Sequence, residues 1–103
     1  MNETRVSPDQ CRTMAEVRHG IDLLDQQIVA LLAERFRYMD AAARIKPNRD
    51  AVRDEARKAE VLANVRRLAD QRAVPIDVAE GVYERLVEGS IAYEFVQFDA
   101  GRN

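Results

Sequence analysis

Residues 13–47 read TMAEVRHGIDLLDQQIVALLAERFRYMDAAARIKP, and apolar side chains recur through them at alternating four- and three-residue spacing: Val17, Ile21, Leu24, Ile28, Leu31, then Tyr38, Ala42 and Ile45. That period belongs to one face of a helix. Thr13-Met14-Ala15-Glu16 is a capping-box pattern, which places the start of the helix at the threonine. Pro47 ends it, because proline lacks an amide and disfavours helix at Lys46. A helix from about 14 to 46 is roughly 50 Å long at 1.5 Å per residue. A compact globule of this size has a radius of gyration of only about 13 Å. The helix therefore overshoots what its own chain can wrap, and the sequence asks for a partner, most simply a second copy.

Outward from this element, PNRDAV at 47–52 is a polar loop rich in turn formers. A second helix is predicted from about 53 to 71, with Val61, Leu62, Val65, Leu68 and Ala69 as its apolar face. Ala73-Val74-Pro75 makes the next turn, and Asp77-Val78-Ala79-Glu80 offers an aspartate-led cap. The third helix then runs to about 98, with Val82, Tyr83, Leu86, Ser90, Tyr93 or Glu94, and Gln97 on one face. Gly81 and Gly89 lie inside it, where a missing side chain lets another helix approach. There is no β-alternation and no repeat. The fold class is all-α: one long helix and two shorter ones, in a domain spanning 13–98, with a flexible arm at 1–12 and a frayed tail at 99–103.

With 103 residues the chain is expected to be one domain. Sixteen basic and eighteen acidic side chains give a net charge of −2, which argues against general affinity for nucleic acid or an anionic membrane, so an anion site must be local. The single Cys11 excludes an intramolecular disulfide and a zinc cluster and reads as a free thiol in a reducing compartment. No signal-peptide core or membrane span is present in the sequence, so a soluble cytoplasmic protein is expected.

Two charges sit where the long helix should be apolar. Arg35 and Lys46 are eleven residues apart, about 20° beyond three full turns, so they share the apolar face about 16 Å from each other. Burying an unpaired cation costs several kcal/mol, so each must reach water, meet an acid from elsewhere in the fold, or hold an anionic ligand. Arg18 lies about 25 Å before Arg35 and about 100° around the helix. Within one helix the two cannot serve one site, whereas in an antiparallel pair residue 18 of one copy approaches residue 35 of the other. On the third helix Ser90 and Glu94 are spaced i, i+4 and stack on one face. Read alone, Ser90 back-bonds to its own helix, Arg53, Asp54 and Arg57 are solvated surface charges, and His19 is a surface residue without a catalytic role.

These spacings, carried by AEVRHGIDLLDQQIVALLAER, AARIK, VRDEAR and SIAYE, resemble the all-helical chorismate mutases, especially the branch that includes isochorismate pyruvate lyases, over about residues 13–98. The resemblance implies an intertwined, domain-swapped homodimer that needs no metal or organic cofactor and acts on a small dianionic substrate. It implies that Arg18 is lent by one protomer to its partner's site, that Arg35 grips a substrate carboxylate, and that Lys46 hydrogen-bonds the substrate's ether oxygen and a carboxylate. Arg57 matches the arginine at the start of the second helix, and Asp54 the VRD residue that helps hold the substrate hydroxyl. Ser90 and Glu94 form the third helix's share of the pocket. The chemistry implied is the pericyclic rearrangement of chorismate to prephenate, which needs a clamp and well-placed cations rather than a proton transfer. On that reading the two cations on the apolar face are unpaired because the substrate is their partner.

Two positions depart from the bacterial prototype of that family. Lys58 stands where a glutamate contacts the ring hydroxyl, and Glu94 stands where a glutamine donates to the ether oxygen. An ionised Glu94 would repel an oxygen gaining negative charge, so Glu94 is expected to work protonated, with activity falling toward high pH. The runner-up activity is isochorismate pyruvate lyase, giving salicylate and pyruvate, with a mutase acting on the 4-amino analogue of chorismate further behind. A non-catalytic helical dimerisation module is the rival outside enzymology, with Lys58 as its best support.

Overall fold

The computed structural model describes residues 4–102. They hold three α-helices, α1 (Met14–Ile45), α2 (Glu55–Gln71) and α3 (Ile76–Gly101), with short 3-10 turns at Pro8–Gln10 and Arg49–Ala51, and no strand. Contacts divide the chain into two compact units, one ending at Arg37 and one beginning at Tyr38, and α1 runs through the boundary.

In the first unit, both halves of the predicted capping box form. Glu16 N–H donates to Thr13 Oγ1 at 3.1 Å, and Glu16 Oε1 accepts from Thr13 N–H at 3.1 Å and Arg12 N–H at 2.8 Å. These amides, Arg12's first, hold the Glu16 carboxyl below the usual carboxylate range. Where the sequence predicts a flexible arm, the described part turns through Pro8–Gln10, closed by Cys11 N–H on Pro8 O, and His19 meets Thr4 O at 3.3 Å. Proline at the first position of that turn presets its backbone angle. Residues 1–3 of the arm and residue 103 of the tail lie outside the described residues. The predicted apolar face of α1 is largely bare in the single chain: Ile21, Leu24, Ile28, Leu31, Tyr38 and Ile45 are all exposed, and Leu23 and Ala43 are the buried positions of the helix.

In the second unit, α2 and α3 pack on each other, and α3 also touches the 3-10 turn at 49–51. Asn48 caps that turn by accepting from Ala51 N–H, and Asp54 caps α2 by accepting from Arg57 N–H at 3.0 Å. α2 ends in a Schellman motif, with Val74 N–H on Ala69 O at 2.9 Å, Ala73 N–H on Asp70 O at 3.3 Å, and Ala73 in the left-handed region at φ 57°. α3 starts at Ile76 behind Pro75, one residue ahead of the predicted aspartate cap, so Asp77 lies inside the first turn and Pro75 takes the cap position. The core gathers Ala43, Val52, Val87, Ile91 and Phe98, with Val61 and Phe95 packed against it. The buried face of α3 is thus rotated from the predicted one: Val82 is exposed, while Val87, Ser90, Ile91, Glu94 and Phe98 are inside. No neighbouring helix fills the space at Gly81 or Gly89, where the nearest group is the flexible end of Arg85 beside Gly89. The predicted frayed tail is helical to Gly101, because Asp99 pairs with Arg49 and Arg102 stacks on Phe98 at 4.0 Å.

Candidate active site

Lys46 follows the last turn of α1, its N–H still donating to Ala42 O at 2.9 Å, and Pro47 prevents the helix from continuing. Its ammonium turns toward α3 and meets Glu94 Oε2 at 2.6 Å. It also donates to the Val52 carbonyl at 3.3 Å. Among the described residues Glu94 is one of two buried polar ones, its side chain 5% exposed, whereas the lysine side chain keeps 27%. The pair touches at ion-pair distance, yet Glu94 Oε2 accepts no well-angled hydrogen bond from any described group.

The other buried polar residue is Ser90, one turn before Glu94, with its hydroxyl donating to Leu86 O at 2.7 Å. This is the back-bonding read from the sequence. The reading that both cations lack a protein partner fails at Lys46. Glu94 neutralises it from α3, a pairing invisible along α1 because the two residues are 48 positions apart. Arg35 is half-buried in the first unit and engages other groups, while Arg18, in the same unit, is exposed.

The start of α2 carries a separate set of charges. Arg53 binds Glu88 at 2.7 Å and Glu55 at 2.8 Å, and Lys58 binds Glu84 at 2.7 Å and Glu88 at 2.8 Å. The guanidinium of Arg53 and then the ammonium of Lys58 pull the Glu88 carboxyl down to about 2, while Glu84 and Glu88 raise Lys58 and Glu88 and Glu55 raise Arg53. Lys58 is thus satisfied by two α3 glutamates. Asp54 serves as the α2 cap, and Arg57 is exposed and pairs with Glu60 one turn on. The structure brings Lys46 and Glu94 into contact, with Ser90 one turn away on the same face of α3, and gathers Asp54, Arg57 and Lys58 in the first turn of α2. Two participants escape sequence reasoning: the Val52 carbonyl, which no side-chain pattern reports, and Arg102, whose surroundings read as a polar tail.

A half-buried lysine paired with a buried glutamate, between the end of the long first helix and the third helix, is the central charged contact of this all-helical chain. The class can be given a family. Residues 17–95 match the chorismate mutase type II family, and the chain belongs to it. It is also 30% identical over 86 residues to the isochorismate pyruvate lyase of Pseudomonas aeruginosa, an alignment covering 84% of this chain and 85% of that protein. Among the described residues no helix is long and apolar enough to cross a membrane.

Proposed function

We propose that this protein is a chorismate mutase that converts chorismate to prephenate by electrostatic clamping. The observation that carries the reading is the Lys46–Glu94 pair, a half-buried cation against a buried acid, with Ser90 one turn away. In the rearrangement the ether C–O bond breaks as a C–C bond forms, and no proton leaves the substrate. Negative charge builds on the ether oxygen, so a cation placed there stabilises the transition state more than the ground state. Lys46 is that cation, and Glu94, protonated when substrate is bound, donates to the same oxygen. Arg35 and, from a second copy, Arg18 take the carboxylates, for which the planar guanidinium gives a two-point match. At an effective dielectric near 20, a charge pair at about 4 Å is worth roughly 4 kcal/mol before desolvation, and a millionfold acceleration needs roughly 8 kcal/mol. A few differential contacts suffice.

The intertwined homodimer belongs to the same proposal. It is supported by the 32-residue length of α1 and by the exposure of Ile21, Ile28, Leu31 and Tyr38 along it. Sedimentation equilibrium returning the monomer mass at micromolar concentration would remove it.

The relative at 30% identity favours a second reading, isochorismate pyruvate lyase activity giving salicylate and pyruvate. Incubation with chorismate and isochorismate separately, with products resolved by chromatography, decides between them. Prephenate from chorismate, formed faster than any lyase product from isochorismate, is the expected result. Faster formation of salicylate and pyruvate makes the protein a lyase, and no turnover of either substrate leaves a non-catalytic helical module.

A further inference from the structure

We infer that Arg102 is a positioning residue for Lys46, an inference that rests on the functional reading above for its catalytic consequence. The last carbonyls of any α-helix lack intrahelical donors, and a proline following the helix removes one more candidate. At the end of α1 that proline is Pro47, and the missing donors arrive from α3. Arg102 Nη2 donates to the Lys46 carbonyl at 2.7 Å, and Arg102 Nη1 donates to the Ala43 carbonyl at 3.3 Å. The planar fork thus bridges the final turn, and its charge sits at the negative end of the helix dipole. The guanidinium is itself held, stacked 4.0 Å from the centre of the Phe98 ring, and Phe98 is buried in the core.

One turn of α3 earlier, a second tether fixes the far side of the same segment. Asp99 accepts from Arg49 Nε at 3.0 Å, and the Arg49 guanidinium lies 4.5 Å over Phe95. Arg49 opens the 3-10 turn that leads to Val52, whose carbonyl receives the Lys46 ammonium. Lys46 is therefore fixed at its backbone by Arg102 and at its ammonium by Val52 and Glu94. A displacement of about 1 Å in a catalytic group costs on the order of a hundredfold in rate, so an anchor on the lysine's own carbonyl bears on the chemistry without touching substrate.

Lys46 and Lys58 are the only lysines in the sequence, so their two ammonium groups can be followed separately in proton–nitrogen spectra of the full chain. Arg102→Met keeps an apolar stem on Phe98 and removes both donors. It is expected to shift or broaden the Lys46 ammonium signal, to leave the Lys58 signal in place, and to lower kcat about tenfold with KM changed less than threefold. Arg102→Lys keeps a cation at the helix end but loses the fork, and should recover only part of kcat; it also serves if the methionine variant does not fold. An unmoved Lys46 signal overturns the inference, and so does a moved signal with kcat unchanged. A parent protein inactive on both chorismate and isochorismate defeats the functional reading instead, and the ammonium signal alone then decides whether Arg102 positions Lys46.

Discussion

Replacing Glu94 by glutamine removes one charge from the buried pair and keeps the shape of the side chain. At 2.6 Å and an effective dielectric near 20 the pair is worth about 6 kcal/mol in gross attraction, most of it cancelled by the desolvation of two ions. Leaving a fully buried partner uncompensated costs about 3–5 kcal/mol. The Lys46 side chain keeps 27% of its surface and can turn toward water, so about 1 kcal/mol is the expected loss, or a fall in Tm of about 4–8 °C. Activity should respond in the opposite sense. If Glu94 donates to the ether oxygen as an acid, the parent loses kcat/KM tenfold per pH unit above the midpoint of its decline, roughly a hundredfold two units above it. Glutamine donates at every pH, so the variant's profile should stay flat where the parent's falls. Chorismate consumption followed by ultraviolet absorbance across the pH range, with product identity checked by chromatography, gives both curves. Parallel profiles in parent and variant would refute the assignment of Glu94 as the donor.

The same pair sets the sign expected for Lys46→Met. With Glu94 at 2.6 Å, the single change strands a buried carboxylate and should lower Tm, whereas Lys46→Met combined with Glu94→Leu should restore or exceed the parent's Tm while remaining inactive. Thermal melts of the single and double variants check both signs. Glu88, held down to about 2 by Arg53 and Lys58, has a folded value below its unfolded one near 4.3. Its contribution to stability is present above the unfolded value and is lost as pH falls toward 2. The difference in urea midpoint between parent and Glu88→Gln should therefore be constant above about pH 5 and shrink steadily below it. Ala73 holds the left-handed position of the Schellman motif, so Ala73→Gly should raise stability by about 0.5–1 kcal/mol in urea denaturation, with no change or a loss counting against it.

How much of this was legible in the chain depends on how local the chemistry is. α1 is read to within a residue because both its ends carry their own signals, the Thr13–Glu16 box and Pro47. The α2 cap at Asp54 is local in the same way, though the sequence reading began that helix two residues early. Faces are harder. The apolar period along α1 is genuine, yet Ile28, Leu31 and Tyr38 stand exposed in the single chain, since periodicity shows that a face wants covering and not what covers it. On α3 the apolar spacing points Val82 and Leu86 inward, whereas packing on α2 and the 49–51 turn buries Val87, Ile91 and Phe98. Candidate site residues were legible as misplaced polarity, as at Lys46, Ser90 and Glu94. Their pairing was not, because a contact between α1's end and the middle of α3 leaves no trace in spacing.

That pairing has a consequence for how a cation can wait inside an apolar protein. A bare, desolvated ammonium at this end of α1 would cost several kcal/mol, and Lys46 has the Glu94 carboxylate and the Val52 carbonyl against it. On the proposed function, an incoming dianion exchanges one carboxylate-like partner for another, so Lys46 is never desolvated without an anion against it. Glu94, displaced beside a second negative charge, is then neutralised by a proton rather than by a cation, and becomes the hydrogen-bond donor that the breaking ether bond needs. Glutamine at this position supplies the donor but abandons the ligand-free pair. On the proposed function glutamate serves both states, so the comparison of parent and Glu94→Gln profiles, and not the rate at a single pH, tests the role of Glu94.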